Sequence, residues 1–200
     1  EYSSVLKEAI DEAISKGVII VGAGGNLGYN IKEYPAAYEN VMGVASIKQS
    51  LERSSFSSYG EHIDFSTFGQ NIYSTLPDNT YSFKSGTSQS AAIISGIISK
   101  ILGYNSEFNL PEVYSILKLS AVDINTNGYD RYTGYGYIDA NKLYNVLTNE
   151  PLSIISSIDL KNNSESSFYI RNVLNFPNPF GMNGTKFQFE SSGGELQIKI

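Results

Sequence analysis

Ser85-Gly86-Thr87-Ser88-Gln89-Ser90-Ala91-Ala92 runs directly into the apolar residues 93–102. Apolar side chains recur there at three- and four-residue spacing, which predicts a central helix that is buried on most sides. The small, hydroxyl-rich residues before it predict a tight turn in which a hydroxyl side chain caps the first helical turn. Because free backbone N–H groups and the positive end of the helix dipole meet in such a turn, it favours a developing negative charge. The stretch is therefore either an ordinary capped core helix or a nucleophilic site at a helix N-terminus.

The composition predicts a globular chain and argues against several functional classes. Of the 200 residues, 41% are hydrophobic and 17% are charged, as in a folded domain with a substantial core. The net charge of −6 argues against nucleic acid and anionic membranes as partners, and no apolar run is long enough to span a membrane. The chain has no cysteine, which excludes disulfides and thiolate metal sites. A surface rich in Tyr, Ser, Asn and Gly with few Lys and Arg indicates a secreted or cell-surface protein.

The order of the periodic segments predicts an α/β fold. Residues 3–16 have helical spacing and are followed by Gly17, and residues 18–21 form a β-branched run typical of a strand buried in a parallel sheet. A second buried strand is predicted at residues 41–46 and a short one at residues 62–65. The remaining predictions are a hairpin of residues 72–76 and 81–83, and helices at residues 110–120 and 140–147.

The first predicted strand ends in Gly22-Ala23-Gly24-Gly25-Asn26-Leu27-Gly28. Ligands of open α/β sheets gather at this carboxyl end of the strands. A phosphate-binding loop is disfavoured, because no Lys-Ser/Thr pair and no clear helix pattern follow at once. Asn26 has two interpretations: a turn asparagine in left-handed geometry, or an amide N–H₂ that serves as a fixed oxyanion donor.

The character of the sequence changes after residue 148. Residues 149–168 read as a polar linker without periodicity, and apolar and polar residues then alternate in residues 186–190 and 195–200. This alternation predicts an antiparallel hairpin. We therefore predict an α/β domain over residues 1–148, a linker over 149–168, and the start of an antiparallel β-sandwich module over 169–200.

Taken together, these features resemble the subtilisin-like serine proteases over about residues 3–147. Gly86-Thr87-Ser88 matches the family's Gly-Thr-Ser nucleophile motif, and Gly24-Gly25-Asn26 stands where the family has Ala-Gly-Asn with its oxyanion asparagine. The resemblance implies a subtilisin-like parallel sheet with helices on both faces. Further matches occur in family order at Tyr34-Pro35, Tyr38, Phe56-Ser57-Ser58-Tyr59-Gly60, Ser74-Thr75-Leu76-Pro77, Gly96 and Gly134-Tyr135-Gly136-Tyr137-Ile138-Asp139-Ala140.

The resemblance also implies a function, that of a serine endopeptidase acting on proteins and peptides. Ser88 would attack the scissile carbonyl, and Asn26 together with the Ser88 backbone N–H would stabilise the tetrahedral oxyanion. Gly24 and Gly25 would form part of the wall of the pocket for the substrate residue before the cleaved bond. No cofactor is required. Family members often bind calcium, and the loop of residues 36–41 resembles a cation site, although no carboxylate cluster supports one.

The chain departs from the family pattern in two ways. The family's Asp and His precede the asparagine, whereas the single histidine here, His62, lies between Asn26 and Ser88 where the family has a structural strand. We therefore expect no catalytic role for His62, and we expect the chain as given to be a fragment that is inactive alone. Gln89 and Ala92 replace the family's usual Met and Pro, which keeps a non-catalytic pseudoprotease scaffold or binding module as an alternative. A nucleotide-binding domain is a third candidate, for which we expect no measurable nucleotide affinity.

The tail carries a separate resemblance. Asn175-Phe176-Pro177-Asn178-Pro179-Phe180, followed by the alternating residues 185–189, resembles the opening of immunoglobulin-like C-terminal domains of secreted Bacteroidetes-type proteins. Some of these domains are type IX secretion sorting signals, so the resemblance implies export and the type IX secretion machinery as a partner. A generic β-module or linker is the alternative.

Overall fold

A computed structural model describes residues 1–148, 186–191 and 194–199 of the chain. These residues form four helices and nine strands. In chain order they are α1 (Ser4–Ser15), β1 (Ile20–Ala23), β2 (Val41–Ile47), β3 (Phe65–Phe68), β4 (Ile72–Leu76), β5 (Thr80–Lys84), α2 (Thr87–Tyr104), α3 (Leu110–Ser120), β6 (Ala121–Val122), β7 (Tyr137–Ile138), α4 (Ala140–Thr148), β8 (Lys186–Ser191) and β9 (Gly194–Lys199).

The centre of the fold is a five-stranded sheet in the order β1-β2-β3-β7-β6. The β1–β2, β2–β3 and β3–β7 pairs are parallel, and β6 runs antiparallel to β7. Every residue of β2 is buried, whereas β1 is only partly buried because it is the edge strand of this sheet. The parallel sheet confirms the predicted α/β class.

Helices cover both faces of the sheet, as predicted. Because side chains alternate along a strand, Val41 and Met42 of β2 point to opposite faces. Val41 packs with Ile10 of α1, whereas Met42 belongs to the larger cluster that contains Ile94 of α2 and Ile116 of α3. The sheet is thus enclosed between α1 on one face and α2 and α3 on the other.

The third strand lies further along the chain than predicted. Residues 62–65 were expected to form it, but β3 spans Phe65–Phe68. The preceding side chains instead bond to neighbouring loops and strands: the His62 ring contacts the Gly24 carbonyl, and the Asp64 carboxylate accepts from the Gly43 N–H at 2.7 Å. The shift follows from these long-range bonds, which local periodicity does not reveal.

The central helix is present, but two of its predicted properties are wrong. Its apolar side packs on β1, β2 and β3, yet Ser95, Gly96 and Ser99 are exposed, so the helix is not buried on most sides within the described part of the chain. Its N-cap residue is Gly86, which has no side chain that could bond to the first turn. The hydroxyl cap expected from the sequence is therefore replaced by another acceptor.

The β4–β5 hairpin and helix α3 agree with the sequence, whereas the two-residue strands β6 and β7 were not predicted. The predicted β4–β5 hairpin forms with Asp78 and Asn79 in left-handed backbone conformations at its turn. Helix α3 begins with Pro111 in its first turn, behind a capping box in which Asn109 and Glu112 satisfy each other's backbone N–H groups.

The predicted hairpin in the tail is confirmed, since β8 and β9 pair antiparallel with Phe187 opposite Ile198. The predicted linker and the residues of the Asn-Phe-Pro-Asn-Pro-Phe resemblance lie outside the described residues. None of the described helices has the length and apolarity needed to cross a membrane.

Asp64 joins the central sheet to helix α3. Its carboxylate, carried just before β3, accepts from the Gly43 N–H of β2 and from the Tyr114 hydroxyl of α3, the latter at 2.8 Å. Burial is the largest influence on this group and raises the pKa of Asp64, although the two bonds and nearby His62 act in the opposite direction. The folded chain therefore holds the Asp64 proton more tightly than the unfolded chain does.

We predict that Tyr114→Phe raises the pKa of Asp64 further and lowers the free energy of unfolding by about 1–2 kcal/mol at neutral pH, because a buried carboxylate oxygen loses its donor. With a raised folded-state pKa, the stability that Asp64 contributes is fully present below the unfolded pKa and is lost as pH rises through the folded pKa. Tyr114→Phe therefore lowers the free energy of unfolding more at neutral pH than at mildly acidic pH. Urea denaturation at both pH values measures this difference.

The matched control is Tyr104→Phe, at the exposed end of α2. It removes the same hydroxyl without touching a carboxylate and leaves stability nearly unchanged at both pH values. Equal losses for the two variants contradict the role given to Asp64.

Candidate active site

The candidate site forms where the carboxyl end of β1 meets the N-terminus of α2. After β1 the chain passes through Gly24 and Gly25 to Asn26, while α2 starts at Thr87, directly after the extended residue Gly86. Helix α2 packs against β1, and this packing brings the two segments together. The stretches singled out separately in the sequence are therefore neighbours in the fold.

Asn26 caps α2 from a distance. Its side-chain oxygen Oδ1 accepts from the Thr87 backbone N–H at 2.9 Å and from the Thr87 hydroxyl at 3.0 Å. Because a backbone N–H can only donate, the amide atom that faces it is the oxygen. The amide nitrogen Nδ2 lies beside Gly86, where an added Cβ would come within 3.6 Å of it. The orientation of the amide is thus determined by α2.

Thr87 has a second partner in the same loop. Its hydroxyl, which donates to Asn26, also accepts from the Gly25 backbone N–H at 3.1 Å. The Thr87 side chain is completely buried, whereas Asn26 is exposed, so these bonds are partly buried. The sequence marked Thr87 only as a residue of the turn; no local pattern indicated that it bridges two backbone segments and orients Asn26.

The backbone groups of Gly24 and Gly25 are fully bonded within the fold. Gly24 donates to the Val44 carbonyl at 2.9 Å, and its own carbonyl is 3.0 Å from the Nε2 of His62. The Gly25 carbonyl accepts from the Ser58 N–H at 2.9 Å, and its N–H is held by the threonine hydroxyl described above. The backbone N–H and C=O groups of both glycines therefore already have partners, and only the Cα atoms are left to contact neighbouring groups.

His62 is part of this scaffold. Its ring is 9% exposed, and because the Gly24 carbonyl can only accept, Nε2 carries the proton. Nδ1 is buried and has no hydrogen-bond partner in the part of the chain that the structure describes. The ring thus holds the glycine segment in place through Nε2.

Ser88 lies in the first turn of α2 and is exposed. Backbone N–H groups of a first helical turn have no intrahelical acceptor, and the helix dipole is positive at this end. Ser88, its N–H and the Asn26 amide nitrogen are therefore carried by one junction, in surroundings that favour negative charge. The described residues contain no group of three or more His, Cys, Asp and Glu side chains that could hold a metal ion, and the calcium site expected near residues 36–41 stays a prediction.

A comparison with known protein families identifies the family of this chain. Residues 1–136 match the family described as the subtilase family, a range that contains both Asn26 and Ser88. The chain belongs to the subtilase family.

Individual relatives match over most of the same range. This subtilase is 35% identical over 139 residues to M-protease of Shouchella clausii strain KSM-K16, a match that includes 69% of this chain and 36% of that protein. It is 34% identical over 139 residues to subtilisin BL of Lederbergia lenta, over 69% of this chain and 50% of the relative. With thermitase of Thermoactinomyces vulgaris the identity is 42% over 95 residues, 48% of this chain and 34% of the relative. The chain thus spans about a third to a half of the length of these relatives.

We predict that Thr87→Val lowers the free energy of unfolding of this subtilase by about 1–3 kcal/mol, because the Gly25 N–H loses its acceptor and Asn26 loses a donor where the bonds are partly buried. Urea denaturation measures the loss. Thr75→Val, on the exposed face of β4, is the matched control and changes stability by less than about 0.5 kcal/mol. If the two variants are equally stable, the bridge through the Thr87 hydroxyl does not have the role described here.

Proposed function

We propose that this subtilase supplies the nucleophile and the oxyanion donor of a serine endopeptidase, Ser88 and Asn26. The observation that carries the proposal is the fixed amide of Asn26: its oxygen is taken up by two bonds from Thr87, so its nitrogen is left to donate. A donor that is already oriented before reaction stabilises a developing charge without reorganisation.

In the proposed reaction the Ser88 oxygen attacks the carbonyl carbon of a peptide bond. As the new C–O bond forms, the carbonyl π electrons move to its oxygen, which receives hydrogen bonds from Asn26 Nδ2 and the Ser88 N–H. The serine proton passes to a base, which returns it to the amine as the C–N bond breaks. Water then releases the acyl group by the same steps. No step needs a metal or organic cofactor.

The base is proposed to lie outside these 200 residues. His62 is the single histidine of the sequence, and its Nε2 is bound to the Gly24 carbonyl. We therefore infer that the histidine and the carboxylate that orients it are contributed by further sequence, and that the chain of 200 residues alone has no efficient peptidase activity.

The glycine segment supports a substrate pocket. We propose that Gly24 and Gly25 form one wall of the pocket for the residue before the cleaved bond, since they directly precede Asn26 and expose no side chain of their own. Substrates are then proteins and peptides, whose carbonyl must come within reach of both Asn26 and Ser88.

A pseudoprotease scaffold is the second candidate, favoured by one detail of the turn. Gln89 replaces the family's usual methionine, and its Oε1 would lie 2.9 Å from a Cβ at Gly86, so a polar group flanks the turn before Ser88. In this alternative the fold binds proteins without cleaving them.

Secretion is proposed from the composition and the tail. The weakly charged, tyrosine-rich composition and the Asn-Phe-Pro-Asn-Pro-Phe sequence both suit an exported protein, and contact with the type IX secretion machinery through a C-terminal β-module is proposed on the sequence alone. The location of the full-length protein in cell fractions tests this proposal: we expect it in the medium or at the cell surface, and its retention inside the cell contradicts export.

We predict that Ser88→Ala abolishes peptide hydrolysis in the full-length natural protein, because the attacking oxygen is gone. Asn26→Ala lowers kcat about 10²–10³-fold with little change in KM, the range known for loss of the corresponding amide donor in subtilisin itself. The selective fall in kcat reflects a bond made only in the transition state.

Ser95→Ala, on the exposed side of α2, is the control and keeps the activity of the unchanged protein. Full-length protein that is folded but cleaves no peptide supports the scaffold candidate. Activity that survives Ser88→Ala contradicts the proposed nucleophile.

A further inference from the structure

A carboxylate lies against the glycine segment next to the oxyanion donor. Gly25 has a backbone φ of +105°, and a Cβ built on it would lie 2.3 Å from Cγ and 2.9 Å from Oε1 of Glu33. The Glu33 side chain therefore occupies the space directly beside Gly25, one residue before Asn26. Absence of a side chain at Gly25 is what makes room for this carboxylate.

Glu33 is held there by the segment that follows it. Its carbonyl accepts from the Ala37 N–H at 2.8 Å, closing a tight turn. Ala36 in that turn is buried against β1, where a Cβ on Gly22 would come within 2.6 Å of the Ala36 Cα. Because this turn is packed on the same strand that leads into the glycine segment, Glu33 and Gly25 keep a fixed relation.

The charge of Glu33 has no cation opposite it in the described part of the chain. The ion pairs found there, Lys7–Asp11, Lys16–Glu12 and Lys48–Glu52, are all between residues four apart, far along the chain from Glu33. Glu33 itself is half-buried, while the neighbouring Lys32 is exposed and forms no ion pair. A half-buried carboxylate that a bound substrate covers further loses hydration, and a cation that also donates hydrogen bonds compensates for this loss better than a neutral donor does.

We propose that Glu33 makes this site selective for Lys or Arg as the residue before the cleaved bond. The inference rests on the proposed function, which places the reacting carbonyl between Ser88 and Asn26. The side chain of that substrate residue then passes along the glycine segment at Gly25, and the Glu33 carboxylate lies beside this wall. Lys and Arg combine a long apolar stem with a terminal cation, which suits a glycine surface that ends in a carboxylate.

The competing outcome is an apolar preference. Leu27 directly follows Asn26 and is 55% exposed, so it offers an apolar surface next to the oxyanion donor in the chain. If Leu27 rather than Glu33 contacts the substrate side chain, then aromatic or aliphatic residues are preferred and the charge at residue 33 is irrelevant.

The test compares peptide substrates that differ only in arginine or norleucine before the cleaved bond, using the full-length natural protein. We expect kcat/KM to favour arginine, and Glu33→Gln to reduce the value for arginine about 10- to 100-fold while leaving norleucine nearly unchanged. Glu39→Gln, an exposed carboxylate in the same segment, removes the same charge and is expected to change neither value.

Equilibrium binding of acetylated peptides that end in arginine or norleucine separates this inference from the proposed function. Arginine-selective binding that Glu33→Gln abolishes, without hydrolysis of any substrate, upholds the role of Glu33 and contradicts the peptidase. An equal or greater preference for norleucine, or a preference for arginine that Glu33→Gln leaves intact, overturns the inference whether or not hydrolysis occurs.

Discussion

Two hydrogen bonds from Thr87 to the side-chain oxygen of Asn26 determine how the candidate site is built. They join residues 61 positions apart and tie the loop after β1 to the first turn of α2. If the amide were turned over, its N–H₂ group would face the Thr87 backbone N–H, which can only donate, and the bond that caps the helix would be lost. The same bonds therefore cap the helix and leave the amide nitrogen as a donor beside Gly86, two residues before Ser88. One polar side chain serves both the stability of the fold and the chemistry proposed for it.

The glycine-rich segment is explained by close packing around this junction. At Gly24 a Cβ would lie 2.5 Å from Ile63 Cδ1 and 2.9 Å from the Val44 carbonyl oxygen, so any side chain would push β1 away from its neighbours. At Gly25 the space belongs to Glu33, and the N–H is needed by Thr87. The glycines are thus required by the sheet and by the site wall, and no phosphate is needed to account for them.

Much of the architecture could be predicted from local patterns. Helical spacing located α1, α2, α3 and α4 to within a few residues, the apolar run at β2 indicated a buried parallel strand, and the Pro-Asp-Asn-Thr turn indicated the β4–β5 hairpin. These features depend on the residues of one segment, which a single sequence displays directly.

The features that the sequence did not predict all concern contacts between distant segments. The helix cap comes from Asn26 and not from a hydroxyl of the turn, β3 begins late because His62 and Asp64 bond to other segments, and nothing near Glu33 in sequence indicates that it lies beside Gly25. The exposed side of α2 is likewise indistinguishable in sequence from a buried one, since Ser and Gly are small enough to fit either environment. Local periodicity carries no information on such pairings, so the bridging role of Thr87 and the position of Glu33 emerged only from the structure, whereas Ser88, Asn26, Gly24 and Gly25 could be named from the sequence.

The most direct measurement of the link between Thr87, Asn26 and Ser88 is a double-mutant cycle on the rate at which a fluorophosphonate modifies Ser88, mapped by mass spectrometry in the full-length natural protein. If Thr87 acts on the site by orienting Asn26, then Thr87→Val and Asn26→Ala each slow the modification, and the double variant is no slower than Asn26→Ala alone. If the two rate reductions multiply in the double variant, or if the reagent leaves Ser88 unmodified in the unchanged protein, the link between Thr87, Asn26 and Ser88 is contradicted.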